Sequence, residues 1–468
     1  MPTTSLIPDF ADRVQAVKRF RALLAHHADD LVRLMGQEIH KPEFEALASD
    51  VLPLLASCTW HIKHAKRVLQ DRKPPGKPLW LLGVSHRVAR RPLGRVAIIA
   101  TWNYPVQLVG VQIVQAFTGG NEVIVKPSER SPQTQELLLD LAEQAGIPID
   151  RVPATREAGE TLVRDESFDH LLFTGSTTVG KAIARVLAER LIPSTLELSG
   201  NDSAVVLPSA DPTLAAKCIW YALTLNHGQT CMAPHRALVA EQHMESFLDE
   251  IRKLSIEAQP RRLIDDAATD HCRQVAREAI DAGGELICGD PDAEFLAPFV
   301  IANAPHESRL HKGEHFGPLL AVATLDLSLA RASGSSDMPA FDQPGAQARG
   351  IDSDPLTLSV FGSIQNAKTF ASRSRAGTVT INDAIIPTGH PGAPLSAGGN
   401  SGWGVSRGVE GLLAMTRPVS VSTTPKRVRL PLDPPATPVS KITPWLRRLY
   451  ARGGPVRRNG TRTEDTSG

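Results

Sequence analysis

The side chain with the greatest chemical potential in this sequence is a cysteine behind a short loop. Cys231 closes the segment Asn226-His-Gly-Gln-Thr-Cys, which follows a predicted helix that Asp211-Pro212 is expected to cap. A cysteine thiolate is a strong nucleophile toward a carbonyl carbon. An isolated cysteine is more often a small buried apolar residue, so this segment alone leaves both interpretations open.

A glutamate at the end of an apolar stretch is the second candidate. Glu197 stands in Leu196-Glu197-Leu198-Ser199-Gly200, where the pattern predicts the end of a strand. A carboxylate in apolar surroundings can have a raised pKa and serve as a general base. The alternative interpretation is a surface glutamate in a salt bridge.

A glycine turn forms the third candidate. Gly175, Ser176 and Gly180 lie where a predicted strand gives way to a predicted helix. Such a turn lets a phosphate approach backbone N–H groups at a helix N-terminus. The full Gly-x-Gly-x-x-Gly pattern is absent, and glycine also serves turns of this kind for purely structural reasons.

The remaining cysteines and the overall charge exclude several classes of protein. The five cysteines are scattered and form no Cys-x-x-Cys pair, which argues against a disulfide framework or a thiolate zinc site. The net charge is +1, but residues 426–468 alone carry +7, so the rest has a mild acidic excess unsuited to nucleic acid. No apolar run is long enough to span a membrane. The amino terminus lacks the features of a secretory signal, and we expect a cytoplasmic protein.

The elements that must position these groups follow an alternating pattern. Residues 8–70 have apolar residues at helical spacing, and the Pro-rich segment 73–78 ends that region before a predicted hairpin. Short apolar runs at 96–100, 122–125 and 170–173 alternate with helical segments, and a second alternating region spans 204–381. This pattern predicts parallel sheets covered by helices, a doubly wound α/β fold. Residues 332–355 are predicted to form a surface loop.

In their order along residues 10–425, these motifs resemble the aldehyde dehydrogenase superfamily, especially its shorter, fatty-aldehyde-type (class 3-like) branch. The segment Thr101-Trp102-Asn103-Tyr104-Pro105 resembles the oxyanion-hole motif of that family, and Lys126-Pro127-Ser128-Glu129 resembles its adenosine-ribose site. Glu197 and Cys231 have the spacing of the family's base and nucleophile, and Gly399–Gly404 resembles its late glycine motif.

The resemblance implies a set of site residues. The catalytic set would be Cys231, Glu197 and Asn103, with no metal. The cofactor contacts would be Trp102, Lys126, Ser128, Glu129, Gly175, Ser176, Gly180, Glu314 and Phe316. The cofactor would be NAD, with NADP possible, because the Glu129 carboxylate can bind a ribose hydroxyl but repels a 2′-phosphate.

The reaction so implied is oxidation of an aldehyde to a carboxylic acid. Cys231 would add to the carbonyl, hydride transfer would leave a thioester, and Glu197 would activate water to hydrolyse it. One alternative is a variant in which coenzyme A resolves the thioester. The other is a catalytically silent family member with a binding or structural role.

The resemblance also implies a domain plan and an assembly. We expect a cofactor-binding domain over 1–200 with a bridging hairpin at about 78–92, a catalytic domain over 201–412, and a bridging strand at 413–425. Residues 426–468 are predicted to be a disordered basic tail. A homodimer or larger homo-oligomer is expected. The family pattern is altered at Pro394-Leu395-Ser396-Ala397 and at Glu197-Leu-Ser-Gly-Asn201, and the loop before Phe361 is longer than usual, which affects the substrate pocket.

Overall fold

The computed structural model describes residues 8–81, 83–200, 202–313, 315–325, 355–425 and 439–450. The amino-terminal region is helical, as its apolar spacing predicts, and Asp9 caps the first helix through the N–H of Asp12. A π-helical turn, Leu47–Val51, precedes the last helix of this group. The helices are α1 (Phe10–His26), α2 (Ala28–Ile39), α3 (Glu43–Ala46) and α4 (Leu52–Leu69).

The first large sheet has six strands in the order β15-β6-β5-β2-β3-β4. Strands β2 to β6 are parallel, and β15 joins antiparallel to β6. The elements are β2 (Arg95–Ile99), α5 (Gln107–Gly119), β3 (Glu122–Lys126), α6 (Pro132–Gln144), β4 (Ile149–Arg151), α7 (Arg156–Asp165), β5 (His170–Gly175), α8 (Thr177–Glu189), β6 (Ser194–Leu198) and β15 (Gly402–Trp403).

The second large sheet has seven strands in the order β13-β12-β7-β8-β11-β10-β9, all parallel except β9. Its elements are β7 (Asp202–Val206), α9 (Pro212–Thr224), β8 (Pro234–Val239), α10 (Met244–Ile256), α11 (Asp266–Asp281), β9 (Glu285–Cys288), β10 (Phe299–Ala302), α12 (Arg309–Lys312), β11 (Leu319–Thr324), β12 (Thr357–Phe361), α13 (Ile364–Ala371) and β13 (Thr378–Ile381). Buried apolar side chains lie on both faces of each sheet. The predicted α/β class with two mainly parallel sheets is confirmed.

Short elements complete the chain. They are β1 (Ser85–Pro92), β14 (Leu395–Ser396), β16 (Val405–Ser406), α14 (Gly408–Ala414), β17 (Thr416–Thr423) and α15 (Val439–Tyr450). Internal packing divides the chain into one unit of Met1–Asp71 with Ala89–Val419, which holds both large sheets, and a second unit of Arg72–Val88 with Ser420–Gly468. No helix among the described residues has the length and apolar character needed to cross a bilayer.

Several expectations change here. The predicted hairpin near 78–92 is a single strand, β1, whose partner is β17, far along the chain. Within the tail predicted to be disordered, Val439–Tyr450 form helix α15. The rest of that tail lies outside the described residues, and so does the loop predicted at 332–355 except for its last residue, Pro355. The domain boundaries stay predictions, and β15 shows that residues 402–403 of the expected catalytic segment join the first sheet.

Candidate active site

The loop before Cys231 is held in an uncommon backbone conformation. Asn226 and His227 have φ values of 51° and 55°, and Gly228 follows with 73°. A Cβ on Gly228 would lie 2.5 Å from the backbone of Gly317, so only glycine permits this close approach. The α9 helix that leads to the loop is capped by Asp211, as the sequence predicts. The conformation of the loop therefore fixes the position of the Cys231 backbone.

The surroundings of Cys231 disfavour the charged form of its thiol. Burial, and to a smaller extent the nearby carboxylates of Glu197 and Asp202, raise the pKa of the Cys231 thiol to about 12, although Arg407 acts to lower it. Asp202 is itself buried, and its Oδ2 accepts from the N–H and the hydroxyl of Thr357 at 3.0 and 2.7 Å. Activation of the thiol must therefore overcome both desolvation and negative charge.

Glu197 lies near the carboxyl end of strand β6, where the apolar pattern predicts it. The residue is buried, and neighbouring hydroxyl groups bind both of its carboxylate oxygens. Thr174 donates to Oε2 at 3.2 Å, and Ser406 donates to Oε1. Thr174 in turn accepts from the amide of Gln112 at 3.2 Å. The surface salt bridge considered as the alternative is wrong for this glutamate, which is held by neutral donors.

Asn103 joins the first sheet to the cysteine loop. Its side-chain Nδ2 donates to the carbonyl of Gln229 at 3.0 Å, and its Oδ1 accepts from the Thr101 hydroxyl at 2.9 Å. The next residue, Tyr104, brings its hydroxyl to 2.6 Å from that of Thr230. Because an amide nitrogen carries two N–H groups, Asn103 can bind Gln229 and retain a second donor.

The buried ion pair of Lys41 and Asp50 supports the loop that carries Asn103. Lys41 and Asp50 have no exposed side-chain surface, and Lys41 Nζ lies 2.6 Å from Asp50 Oδ2. Lys41 also donates to the carbonyl of Asn103 at 2.7 Å and lies 3.8 Å from the centre of the Tyr104 ring. Asp50 Oδ1 accepts from the backbone N–H groups that begin α5, those of Val106 and Gln107. The pair thus holds both the loop and the helix that follows it.

Two cavities meet at Cys231 and Glu197. Cys231, Glu197 and Thr174 line both of them. The first has a volume of about 310 Å³ and a largely apolar wall that includes Phe44, Leu108, Met232, Leu356, Ile385 and Leu395, together with Arg407. The second has a volume of about 430 Å³ and is lined by Trp102, Asn103, Gly175, Ser176, Phe316 and others. A group in either cavity can reach the sulfur and the carboxylate.

Only some of the predicted cofactor residues line the second cavity. Trp102 and Phe316 form an edge-to-face ring pair at 5.8 Å, and Gly175 and Ser176 lie at the turn that opens α8. Ser176 caps that helix by accepting from the N–H of Val179. The turn therefore places the N-terminal end of α8, where an anion can bind, next to the wall of the second cavity.

Four other predicted contacts lie elsewhere, and a fifth cannot be placed. Lys126 and Ser128 are buried and Glu129 is exposed, and none of them lines the second cavity. Lys126 pairs with Glu129. Gly180 packs against Leu198, where a Cβ would approach within 2.4 Å, so this glycine allows helix α8 to lie close to the sheet. Glu314 lies outside the described residues.

Sequence reasoning missed the residues that hold the reactive groups in place, namely Lys41, Asp50, Gln112, Thr174, Ser406 and Arg407. Thr174 stands beside the predicted glycine turn, so its position was a usable signal. Ser406 and Arg407 follow the late glycine motif, but nothing in their local sequence indicates contact with Glu197 or a shared cavity with it. Within the described ranges, no cluster of three His, Cys, Asp or Glu side chains could hold a metal ion.

The altered family segment contributes to the apolar cavity. Leu395, in the position where the family pattern has an aromatic residue, lines that cavity, and its strand β14 pairs with β16 next to Arg407. Asn201, from the other altered segment, lies outside the described residues. The change thus bears on the shape of the apolar wall.

Comparison with known proteins gives a consistent result. Residues 8–332 match the model of a family described as the aldehyde dehydrogenase family. The chain is 30% identical over 446 residues to a 4,4′-diapolycopene aldehyde oxidase of Methylomonas sp, covering 92% of this chain and 80% of that protein. It is also 30% identical over 421 residues to a 4,4′-diapolycopene-4,4′-dial dehydrogenase of Cytobacillus firmus, covering 87% and 89%.

A solved structure has the same fold. The NAD⁺ complex of an aldehyde dehydrogenase from Bacillus cereus superposes with a TM-score of 0.78 at 24% identity, covering 90% of this chain and 85% of that one. At this level of identity the likeness concerns the fold alone.

Proposed function

We propose that this chain, an aldehyde-oxidising oxidoreductase that belongs to the aldehyde dehydrogenase family, forms a carboxylic acid through a thioester on Cys231. The observation that carries the proposal is the position of Cys231 and Glu197 on the wall shared by two cavities. One cavity then receives the aldehyde and the other the cofactor. The nucleophile and the base face both.

Cys231 is the nucleophile in this scheme. Its sulfur adds to the aldehyde carbon, and the carbonyl oxygen becomes an alkoxide next to Asn103. The second N–H of the Asn103 amide and the backbone N–H of Cys231 stabilise that oxygen, each by about 3 kcal/mol where the geometry is good. The hydrogen bond from Asn103 to Gln229 keeps the amide in position.

The second cavity fits a nicotinamide dinucleotide. Trp102 and Phe316 supply an apolar aromatic wall, and the α8 turn at Gly175 and Ser176 supplies backbone N–H groups for a pyrophosphate. A dinucleotide held there would supply the acceptor for the hydride lost from the Cys231 adduct. Lys126, Ser128, Glu129, Gly180 and Glu314 stay predictions as cofactor contacts.

Glu129 favours NAD over NADP. Partial burial acts to raise the pKa of Glu129, but the hydrogen bond and charge of Lys126 outweigh it, so that the pKa lies below its ordinary value. The group is therefore a carboxylate at neutral pH, and it repels a 2′-phosphate. NADP stays possible because Lys126 lies beside it.

Glu197 is the general base for hydrolysis of the thioester. Thr174 and Ser406 hold its carboxylate on the cavity wall, where it can accept a proton from water. A coenzyme A-dependent variant would not need this base. A silent protein would need neither the base nor the nucleophile, so the presence of both favours the hydrolytic reaction.

The substrate that fits best is an uncharged apolar aldehyde. The first cavity is lined mainly by aliphatic and aromatic side chains, and such walls favour burial of apolar surface. The two relatives of 30% identity are named for long polyene aldehydes. The class 3-like branch, suspected from the late glycine motif, stays a prediction.

The proposal extends to location and assembly: a cytoplasmic homodimer. A catalytic thiol must stay reduced, and all five cysteines are free, which fits the cytoplasm. The strand pair of β1 and β17 is the element that would join two copies in a homodimer.

The test is formation of NADH from a panel of apolar and charged aldehydes. The parent should turn over apolar aldehydes, and Cys231→Ala should reduce turnover by about a thousandfold or more while retaining NAD binding. Cys218→Ala, at a partly exposed cysteine that lines neither cavity, is the matched control. Undiminished turnover in Cys231→Ala would refute the proposed mechanism.

A further inference from the structure

Arg407 is a buried cation on the wall of the apolar cavity. It lies between β16 and α14, is 7% exposed, and lines the cavity together with Cys231 and Glu197. Its Nη1 donates to the carbonyl of Thr388 at 2.9 Å. Across the described ranges, no carboxylate lies within ion-pair distance of its guanidinium. A buried charge without an ion-pair partner is costly unless it serves another group nearby.

The backbone of Arg407 is strained. Its φ of 63° and ψ of 164° fall in a region that glycine adopts and other residues rarely do. With the Gln115 amide turned to suit its neighbours, its oxygen accepts from the N–H of Arg407 at 3.0 Å, which helps to maintain this conformation. Glycine would relieve the strain, so the arginine side chain is present in spite of the backbone.

Titratable groups from several other elements interact electrostatically with this guanidinium. Glu197 comes from β6, Cys231 from the loop before β8, and Tyr104 from the loop after β2. Asp202, from β7, lies near Cys231. Burial acts to lower the pKa of Arg407, and the charges of Glu197 and Cys231 oppose that change. Arg407 in turn acts to lower the pKa of the Cys231 thiol. Two negative groups in one cavity repel each other unless a cation lies between or beside them.

We propose that Arg407 is a positioning residue that supplies the positive charge shared by Cys231 and Glu197, so that the sulfur can ionise while the carboxylate stays charged. The use of this charge in turnover rests on the proposed function, but the charge itself can be tested on the protein without cofactor or aldehyde. The apolar wall around Arg407 strengthens its effect, because few other charges screen it.

The test is the rate at which iodoacetamide alkylates Cys231 across the neutral to alkaline range. The thiolate displaces iodide and forms a carbon–sulfur bond, so the rate reports the thiolate fraction. Arg407→Gln should slow alkylation by about tenfold or more and move the rise to higher pH, since one pKa unit changes the thiolate fraction tenfold. Arg407→Lys should retain most of the parental rate. Arg190→Gln, at an arginine that lines neither cavity, is the control.

Arg407→Gly separates charge from folding. Glycine adopts this backbone without strain, so the variant should unfold at the parental denaturant concentration or above it while alkylating as slowly as Arg407→Gln. A parental alkylation profile in Arg407→Gln or Arg407→Gly would overturn the proposal. It would also be overturned if only the anionic reagent iodoacetate were slowed, because Arg407 would then recruit anions without acting on the sulfur.

The same measurements distinguish the two proposals. If the parent oxidises no aldehyde yet its alkylation depends on Arg407, the proposed function fails and the role of Arg407 stands. If the parent oxidises aldehydes and the alkylation rate does not depend on Arg407, the proposed function stands and the role of Arg407 fails.

Discussion

The hydroxyl groups of Tyr104 and Thr230 lie 2.6 Å apart, which joins the loop that carries Asn103 to the loop that carries Cys231. Both hydroxyls are buried, and Thr230 also donates to the carbonyl of Leu225 at 3.2 Å. The proposed nucleophile and oxyanion donor therefore share one hydrogen-bonded support.

Tyr104→Phe should weaken that support. Loss of the hydroxyl removes a partner of Thr230, which should reduce the free energy of unfolding by about 1 kcal/mol and lower kcat more than it raises KM. Denaturant unfolding and steady-state NADH formation measure the two effects. Tyr450→Phe, at an exposed tyrosine of α15, should change neither. Equal kinetics in Tyr104→Phe and the parent would show that the two loops are positioned independently.

Glu197→Gln should stop the reaction after the thioester forms. The amide oxygen can accept from one of the Thr174 and Ser406 hydroxyls and the amide NH2 can donate to the other, but the side chain cannot take a proton from water. NADH should appear as a burst of about one equivalent per Cys231, and mass spectrometry of the quenched protein should find an acyl group on that cysteine. Glu245→Gln, at an exposed glutamate, should turn over steadily. Steady turnover in Glu197→Gln without a trapped adduct would contradict the general-base role.

Lys41→Met should destabilise the protein strongly. The substitution leaves the Asp50 carboxylate buried without its cation, which should cost about 3–5 kcal/mol in the free energy of unfolding. Addition of Asp50→Asn should restore part of that loss, because the neutral amide oxygen can still accept from the N–H groups that begin α5. Arg252→Met, in an exposed pair with Asp249, should cost about 0–1 kcal/mol. A loss no larger than this control would mean that the Lys41–Asp50 pair does not support the fold.

Asp202 should make stability depend on pH. Burial raises the pKa of Asp202 to about 7, above its ordinary value of about 4. The folded state then holds the proton more tightly than the unfolded state, so the free energy of unfolding should fall by a few kcal/mol as the pH rises from about 4 to 7. Asp202→Asn should lack this component when the two proteins are unfolded in denaturant at each pH. Asp249→Asn, at an exposed residue, should show the same pH dependence of the free energy of unfolding as the parent. If Asp202→Asn also showed the parental pH dependence, the raised pKa would not belong to Asp202.

Glu129→Gln should shift cofactor preference toward NADP. The change removes the carboxylate and leaves Lys126 without its partner, so a 2′-phosphate meets positive charge in place of negative charge. The ratio of kcat/KM for NADP to that for NAD should rise about tenfold, which corresponds to about 1.4 kcal/mol. Glu136→Gln, at an exposed glutamate outside both cavities, is the control. An unchanged ratio would place cofactor selection elsewhere.

The sequence by itself predicted many of the elements and, through the resemblance of its motifs, proposed Cys231 and Glu197 as the reactive pair. Apolar runs predicted β2, β3 and β5, and the capped helix before the Cys231 loop and the turn at Gly175 and Ser176 lie where the pattern places them. These features depend on backbone preferences and burial over a few neighbouring residues, which a sequence records directly. The order of the motifs then sufficed to identify the family.

Tertiary structure alone decided how the reactive groups are held and charged. Ser406 and Glu197 are separated by 209 positions, and Lys41 and Asn103 by 62, yet each pair is joined by a hydrogen bond. The same holds for Arg407, which follows the late glycine motif and whose buried side chain lines the apolar cavity. Such contacts follow from how distant segments pack, and no local pattern of residue types encodes the distance between them. The charges that surround Cys231 therefore could not be predicted from the sequence, although Cys231 itself could be named as a candidate.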